Sequence, residues 1–305
     1  MTVSSLAAAV VAVLAAPLLP GIAAKTTAAL TGRRGAPVIQ PWLDLLRLFR
    51  KGTVISVTTS WIFRAAPIVL PVVALTALAM LPLDGRRAIV TFPGDPLAFA
   101  ALLALGRFAV VLGGLDTGSS FEGMGASRAL FFSALTEPLL LLAFASLALA
   151  TGALSLNGML GAAGAATWAH GSASLVMTSV SVFVLLLAEA GRVPVDDPAT
   201  HLELTMIHEV IVLDHSGPDL ALIQLGSALQ FAALGAVIVG VLTPRAALPP
   251  AVAIALLPVG LFVLAVAVGV VESIMARLRM DRVPRLLLAA SALSVLGVML
   301  GVGRP

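Results

Sequence analysis

Eight runs of about 20 mostly apolar residues, at 4–24, 62–82, 97–115, 130–152, 168–188, 219–242, 250–275 and 285–303, limit what this chain can become. A helix rising about 1.5 Å per residue needs that length to cross the hydrocarbon of a bilayer. Inside lipid every backbone N–H and C=O must be satisfied within the protein, so the runs predict helices. The expected fold is all-α: a polytopic membrane protein of about eight transmembrane helices, forming a single integral membrane domain over residues 1–305. Loops on its cytoplasmic side fall at about 25–61, 116–129, 189–218 and 276–284. The opening residues lack a basic stretch and their apolar run is long enough to span. They predict a first transmembrane helix rather than a cleaved signal peptide.

Composition agrees and excludes some chemistry. The chain is 60% hydrophobic and 11% charged, with a mean hydropathy of +1.09. It has no cysteine. A disulfide, a thiolate nucleophile and a cysteine-held zinc or iron–sulfur centre are therefore excluded in this subunit, and an electron-transfer metal must sit in another chain. The net charge of +3 hides a segregated pattern that reports topology and not nucleic-acid binding. The connections after spans one, three, five and seven carry twelve Lys and Arg, against four on the other side. That bias places both termini outside and the residue 189–218 loop in the cytoplasm.

The first cytoplasmic connection carries an amphipathic segment. Trp42, Leu45, Leu46 and Phe49 follow helical spacing, with Asp44, Arg47, Arg50 and Lys51 mostly opposite, which predicts a helix lying in the interface. Such a helix serves as a positive-inside anchor, as a docking element, or as both.

Arg107 lies ten residues into span three. A charge at mid-bilayer costs about 2.5–3.5 kcal/mol on insertion scales, so it is expected to face the bundle and pair with a carboxylate or line a wet cavity. Glu137 and Glu272 are the candidate partners. Arg64 is near enough to a helix end to reach water. The connection around residues 115–138, with Asp116, Ser119, Ser120, Glu122 and three glycines before span four, predicts a flexible loop. No strand precedes its Gly-x-Gly fragment, so a phosphate cradle is not expected there.

The densest chemistry lies at residues 188–219. Seven of the fifteen carboxylates (Glu189, Asp196, Asp197, Glu203, Glu209, Asp214, Asp219) and three of the four histidines are there, with one strong base, Arg192. Glu189 falls where hydrocarbon gives way to headgroups, and Arg192, three residues on, shares its helical face and is expected to pair with it. Asp197 followed by Pro198 predicts an N-cap and a first helical position, opening a helix to about residue 213 that Gly217 and Pro218 close. His201, His208 and His215 recur every seven residues, but about 10 Å apart along such a helix, too far for one metal ion. His208 and Glu209 lack the second histidine of H-E-x-x-H, and no serine stands in a G-x-S-x-G elbow. A solvated loop is the plain alternative. Acids within or at the ends of spans (Glu137, Glu189, Glu272) favour a proton or cation route, with crowding and burial shifting carboxyl pKa values towards neutrality.

The series A-E-x-x-R-x-P-x-D from Ala188, followed by Glu-Leu, Glu209 and Ser216-Gly217, resembles the fifth-to-sixth helix loop of the respiratory complex I subunit 1 family. It is most similar to the membrane-bound hydrogenase branch, of the formate hydrogenlyase subunit 4 or hydrogenase-4 component C type. The pattern of Gln40, Pro41, Asp44, Arg47 and Leu48, and the G-x-S-R-A segment that leads from Gly125 through Arg128 to Glu137, agree with it. The resemblance implies a non-catalytic subunit of an oxidoreductase complex in a bacterial or archaeal plasma membrane. Its partners would be a hydrogenase-type large subunit with a nickel–iron centre, a small subunit with iron–sulfur clusters, and antiporter-like membrane subunits. Glu189, Arg192, Asp196, Asp197, Glu203, Glu209 and Asp214 would line the joint with the redox arm, Glu137, Glu272, Arg107 and Arg128 would continue it into the membrane, and Gln40, Pro41, Asp44 and Arg47 would dock the partner. Val195 stands where complex I members usually have Phe, and Gly52 where they have an acid, which disfavours a conventional quinone pocket. A complex I-type quinone oxidoreductase subunit, a stand-alone proton or cation transporter and a passive anchor are the rival expectations.

Overall fold

The computed structural model of the chain describes residues 3–196 and 206–302, and its regular structure among them is entirely helical. Seven helices are each long and apolar enough to cross a membrane, and a bent pair supplies an eighth span. That pair is α1 (Val3–Ala15) and α2 (Leu18–Leu30). Where the sequence predicts one span ending near residue 24, the helix bends by 44° at its break and runs on to Leu30. Pro17 stands at the break, and a proline lacks the N–H that would continue the ladder.

The amphipathic segment forms α3 (Gln40–Phe49), with Pro41 in its first turn. It is docked as well as amphipathic. Leu45 is buried, the Trp42 indole N–H donates to the Leu14 carbonyl at 3.2 Å, and the helix start presses on α2 at Gly21. A Cβ at Gly21 would collide with the Val38 carbonyl oxygen, so only glycine permits that approach.

Helices α4 (Trp61–Ala79) and α5 (Asp95–Asp116) run side by side in opposite directions. Asp116, at the end of α5, accepts from the Ser60 and Phe63 amides and the Ser60 hydroxyl, which caps α4 from its neighbour. Helix α6 (Ser120–Thr151) has 32 residues, about 48 Å, well beyond a hydrocarbon thickness of about 30 Å. The loop predicted over 116–129 is thus corrected to a helix from Ser120 onward. Its glycines cost helix propensity, but Gly125 lets the backbone of residues 210–211 pack against α6, and tertiary contact outweighs propensity.

A short α7 (Leu156–Ala162) precedes α8 (Ala165–Glu189), and a single turn, α9 (His208–Ile211), precedes α10 (Gly217–Leu242). The helix expected from Asp197 to residue 213 begins outside the described residues. Its described part is only that turn, and Gly217 and Pro218 open α10 instead of closing a helix. Gly217 has φ +53° against the carbonyls of Lys51 and Gly52, and Pro218 is in the first turn of α10. Residues 228–241 of α10 are all buried, as expected of a helix that is apolar on every side. Helices α11 (Pro250–Ile274) and α12 (Val283–Val302) close the bundle and leave Val259, Phe262, Val263, Leu288 and Met299 exposed, a surface suited to lipid.

At the end away from residues 188–219, buried Arg245 donates to the Leu83 carbonyl at 3.0 Å. Burial lowers its pKa to about 10, opposed by the charge of Asp84. Asp84 takes hydrogen bonds from the Ser4 hydroxyl and the amides of Arg86 and Arg87, which ties three connections together.

Candidate functional site

The acidic end of the bundle encloses a cavity of about 940 Å³. Pro17, Pro20, Pro41 and Leu45, from the α1–α2 break and α3, form one part of its wall. Arg107, Thr136, Gln224, Ser227 and Gln230 carry it between α5, α6 and α10. Arg107 does face the bundle and pair with carboxylates. Its guanidinium holds Glu189, donates to the Thr136 hydroxyl at 2.7 Å, and reaches Glu137 at 3.2 Å. Glu137 is therefore the partner expected, whereas Glu272 is not.

Glu272 pairs with Arg192 at 3.3 Å and accepts from the Thr27 hydroxyl at 2.9 Å. The expected Glu189–Arg192 pair is thus replaced by two others. Helix α8 ends at Glu189, and Gly191, at φ +58°, reverses the chain beyond it, so helical spacing no longer holds at Arg192. The two pairs link α2, α5, α6, α8 and α11 around the point where α8 ends.

Asp196 organises the next stretch. Its side chain is 5% exposed, one oxygen meets Arg277 at 3.3 Å, and the other takes the Ile207 and His208 amides at 3.0 and 3.2 Å and the His208 ring at 3.3 Å. Burial pushes the carboxyl up, but the His208 ring and the two amides together hold it below the usual carboxylate range. The Leu278 amide donates to the Pro194 carbonyl at 3.0 Å, so the basic 275–282 connection is seated on the acidic loop. Arg128 pairs with no carboxylate among the described residues. It donates to the Met206 carbonyl at 3.1 Å and fixes the approach to α9.

Three glycines shape the seat of α9. A Cβ at Gly114 or Gly125 would lie 2.8 or 2.9 Å from Ile211, and one at Gly191 2.9 Å from the His208 ring. Glu122, fully buried, accepts from the Thr117 hydroxyl and from the Asp214 amide at 3.0 Å, pinning the turn after α9. Glu209 lines the cavity and the Asp214 side chain is exposed. Asp197, His201 and Glu203 lie outside the described residues. Gln40, Pro41, Asp44 and Arg47 stand together on α3. The Gln40 amide donates to Asp44 at 2.7 Å, Arg47 pairs with Asp44 at 3.4 Å, and Pro41, Asp44 and Arg47 line the cavity.

His215 shares no helical face with His208, because a turn separates them. It is 3% exposed and stacks on Phe63 with ring centroids 3.9 Å apart and planes 11° apart. Burial lowers its pKa to about 4 against the opposing charge of Asp214, so the ring is neutral at pH 7. Sequence reasoning missed Glu122, Gln230 and Arg277 as members of this site. A signal for Gln230 was present: Gln224, Ser227 and Gln230 place polar groups at i, i+3 and i+6 in an otherwise apolar span. Glu122 was hidden by the glycines that suggested a loop.

Fold and site together define a multi-pass helical membrane protein with an ion-paired, carboxylate-lined cleft at one end. The chain belongs to the NADH dehydrogenase family, which matches residues 3–302. It is 32% identical to hydrogenase-4 component C of Escherichia coli K12, over 80% of this chain and 76% of that protein. It is 30% identical to formate hydrogenlyase subunit 4 of the same organism, over 89% of each chain. An NADH-quinone oxidoreductase membrane chain of Rubrobacter xylanophilus is 27% identical over 68% of this chain and 61% of its own length. Among solved structures, a chain of an archaeal respiratory membrane complex, the membrane-bound sulfane sulfur reductase, matches with a TM-score of 0.83 and 20% identity over 98% of both chains. At that identity the likeness is one of fold.

Proposed function

We propose that this chain is the membrane-anchoring and proton- or ion-coupling subunit of a formate hydrogenlyase-like or membrane-bound nickel–iron hydrogenase complex. It joins a redox arm, carried by a hydrogenase-type large subunit and an iron–sulfur small subunit, to antiporter-like membrane subunits. The acidic loop faces the cytoplasm, the side that the distribution of Lys and Arg favours. The observation that carries this is the ionic array around the end of α8: Arg107 with Glu189 and Glu137, Arg192 with Glu272, and Asp196 with His208 and Arg277. Charges this far into a bundle are costly, and five helices and two loops converge to hold them. A rearrangement transmitted through α9 would exchange partners within the array and so alter which carboxylate takes a proton. Without cysteine the chain leaves nickel–iron and iron–sulfur chemistry to its partners.

A quinone fits this cavity poorly. Its two buried neutral hydrogen-bonding side chains, Gln230 and His215, stand against Gly106 and Gly113 of α5. Those glycines are about 10 Å apart along the helix, farther than the two carbonyls of one ring. No step through quinone is derived.

Purification in mild detergent tests the proposal. Mass spectrometry and metal analysis of the intact assembly are expected to find a nickel–iron-type large subunit and an iron–sulfur subunit. In that assembly Glu189→Gln and Glu137→Gln are expected to lower ion movement per turnover while leaving the subunits together. A lone chain that transports ions in proteoliposomes overturns the proposal. Unchanged coupling in both variants reduces the chain to an anchor.

A further inference from the structure

Three buried polar side chains on the cavity wall have nitrogen atoms without a hydrogen-bond partner among the described residues: Nδ1 and Nε2 of His215, Nε2 of Gln230 and Nε of Arg107. His215 is 3% and Gln230 7% exposed, so bulk solvent does not satisfy them. Leaving a buried donor or acceptor unmade is expensive, and three such groups on one cavity call for a shared ligand.

Their placement states what that ligand is. A Cβ at Gly106 would meet Gln230 Nε2 at 3.0 Å, and one at Gly113 would meet His215 Nε2 at 3.5 Å. The two glycines are seven residues apart, hence on one face of α5 and about 10 Å apart along it. Arg107 adjoins the first notch, while Ser227 and Gln224 of α10 lie on the cavity wall and run back towards His215. Hydrogen-bonded oxygens stand about 2.8 Å apart, so about three waters bridge the interval. A neutral imidazole offers one donor and one acceptor, an amide N–H offers a donor, and water answers both.

We propose that the Gly106–Gly113 face of α5 and the Gln224–Gln230 face of α10 hold a file of bound water. It is hydrogen-bonded to His215 at one end and to Gln230 and the Arg107 guanidinium at the other. The file links the turn after α9 to the Arg107–Glu189 pair. A proton entering at the His215 end displaces one at the far end towards Glu189, each water gaining one proton and passing one on. The file's existence is independent of the proposed function, whereas its use as a relay rests on that reading.

Millisecond hydroxyl-radical footprinting of the intact assembly, read by mass spectrometry, tests the file, because buried side chains are modified only where water is bound beside them. Phe63 and His215 are expected to be modified, and the buried Phe99 in the core is expected to be unmodified. Phe63 and His215 as unreactive as Phe99 would overturn the file, whether lipid, quinone or protein fills the space. The relay is tested with Gln230→Leu in reconstituted complex. Proton movement per turnover is expected to fall about fivefold, the worth of one net hydrogen bond, with a changed solvent isotope effect and partial recovery in Gln230→Asn. Modified Phe63 and His215 with unchanged coupling in Gln230→Leu leave the water and overturn the relay. Wild-type complex that moves no ion overturns the proposed function and leaves the water in place.

Discussion

Removing Glu189 should cost far more than removing Glu137, although both touch the same guanidinium. The Arg107 side chain is 18% exposed, Glu189 is 9% exposed and Glu137 is 44% exposed. Two unit charges in contact at an effective dielectric of about 20 attract by about 4 kcal/mol, and breaking such a buried pair from one side costs about 3–5 kcal/mol. Glu189→Ala is therefore expected to destabilise the chain by about 3 kcal/mol or more. Glu137→Ala, half in solvent, should cost no more than about 1 kcal/mol. Replacing both charges with apolar groups, Arg107→Met with Glu189→Leu, should recover most of the loss, because no charge is left uncompensated. The assay is reversible unfolding in mixed detergent micelles, with the four proteins closing a double-mutant cycle. A cost for Glu137→Ala equal to that for Glu189→Ala, or a double variant as unstable as the sum of its singles, refutes the assignment of Glu189 as the principal counter-ion.

Three other outcomes follow from the same geometry. His215 has a folded-state pKa of about 4, below its unfolded value of about 6.5, so its contribution to stability is complete above pH 6.5 and is lost as pH falls towards 4. That loss is on the order of 3 kcal/mol, and His215→Phe, which keeps the stack on Phe63, should flatten the pH dependence of unfolding in this window. Gly114→Val should press on Ile211 and displace α9, seen as faster proteolysis at residues 206–216, at a stability cost of about 1–3 kcal/mol. Asp196→Asn removes the charge that Arg277 and His208 share, and with it a pKa held below the ordinary value. Wild type should retain that stabilisation at neutral pH and lose it only as acid protonates Asp196, while the variant should lack it at every pH, as acid titration of the unfolding midpoint will measure.

Much of this was legible along the chain. Span length, the amphipathic helix at residues 40–49, the need of Arg107 for a carboxylate and the concentration of acid after residue 188 all follow from composition and spacing. These are local properties, and lipid enforces them on any chain. The partners of the charges were not legible, because helical spacing paired Glu189 with Arg192, while the left-handed Gly191 ends that spacing and sends Arg192 to Glu272. The glycines at 123 and 125 read as a loop, since the use of Gly125, admitting Ile211 against α6, exists only once α9 is in place.

Hydropathy and charge along the chain were enough to establish a helical membrane bundle, its span count and the end where its chemistry gathers, because each depends on residues near one another in sequence. Which carboxylate neutralises which arginine, and which buried nitrogens are left facing a cavity, depended on helices brought together from distant parts of the chain. A buried ion pair is set by a few ångströms of approach between such helices, and sequence separation carries no information at that scale.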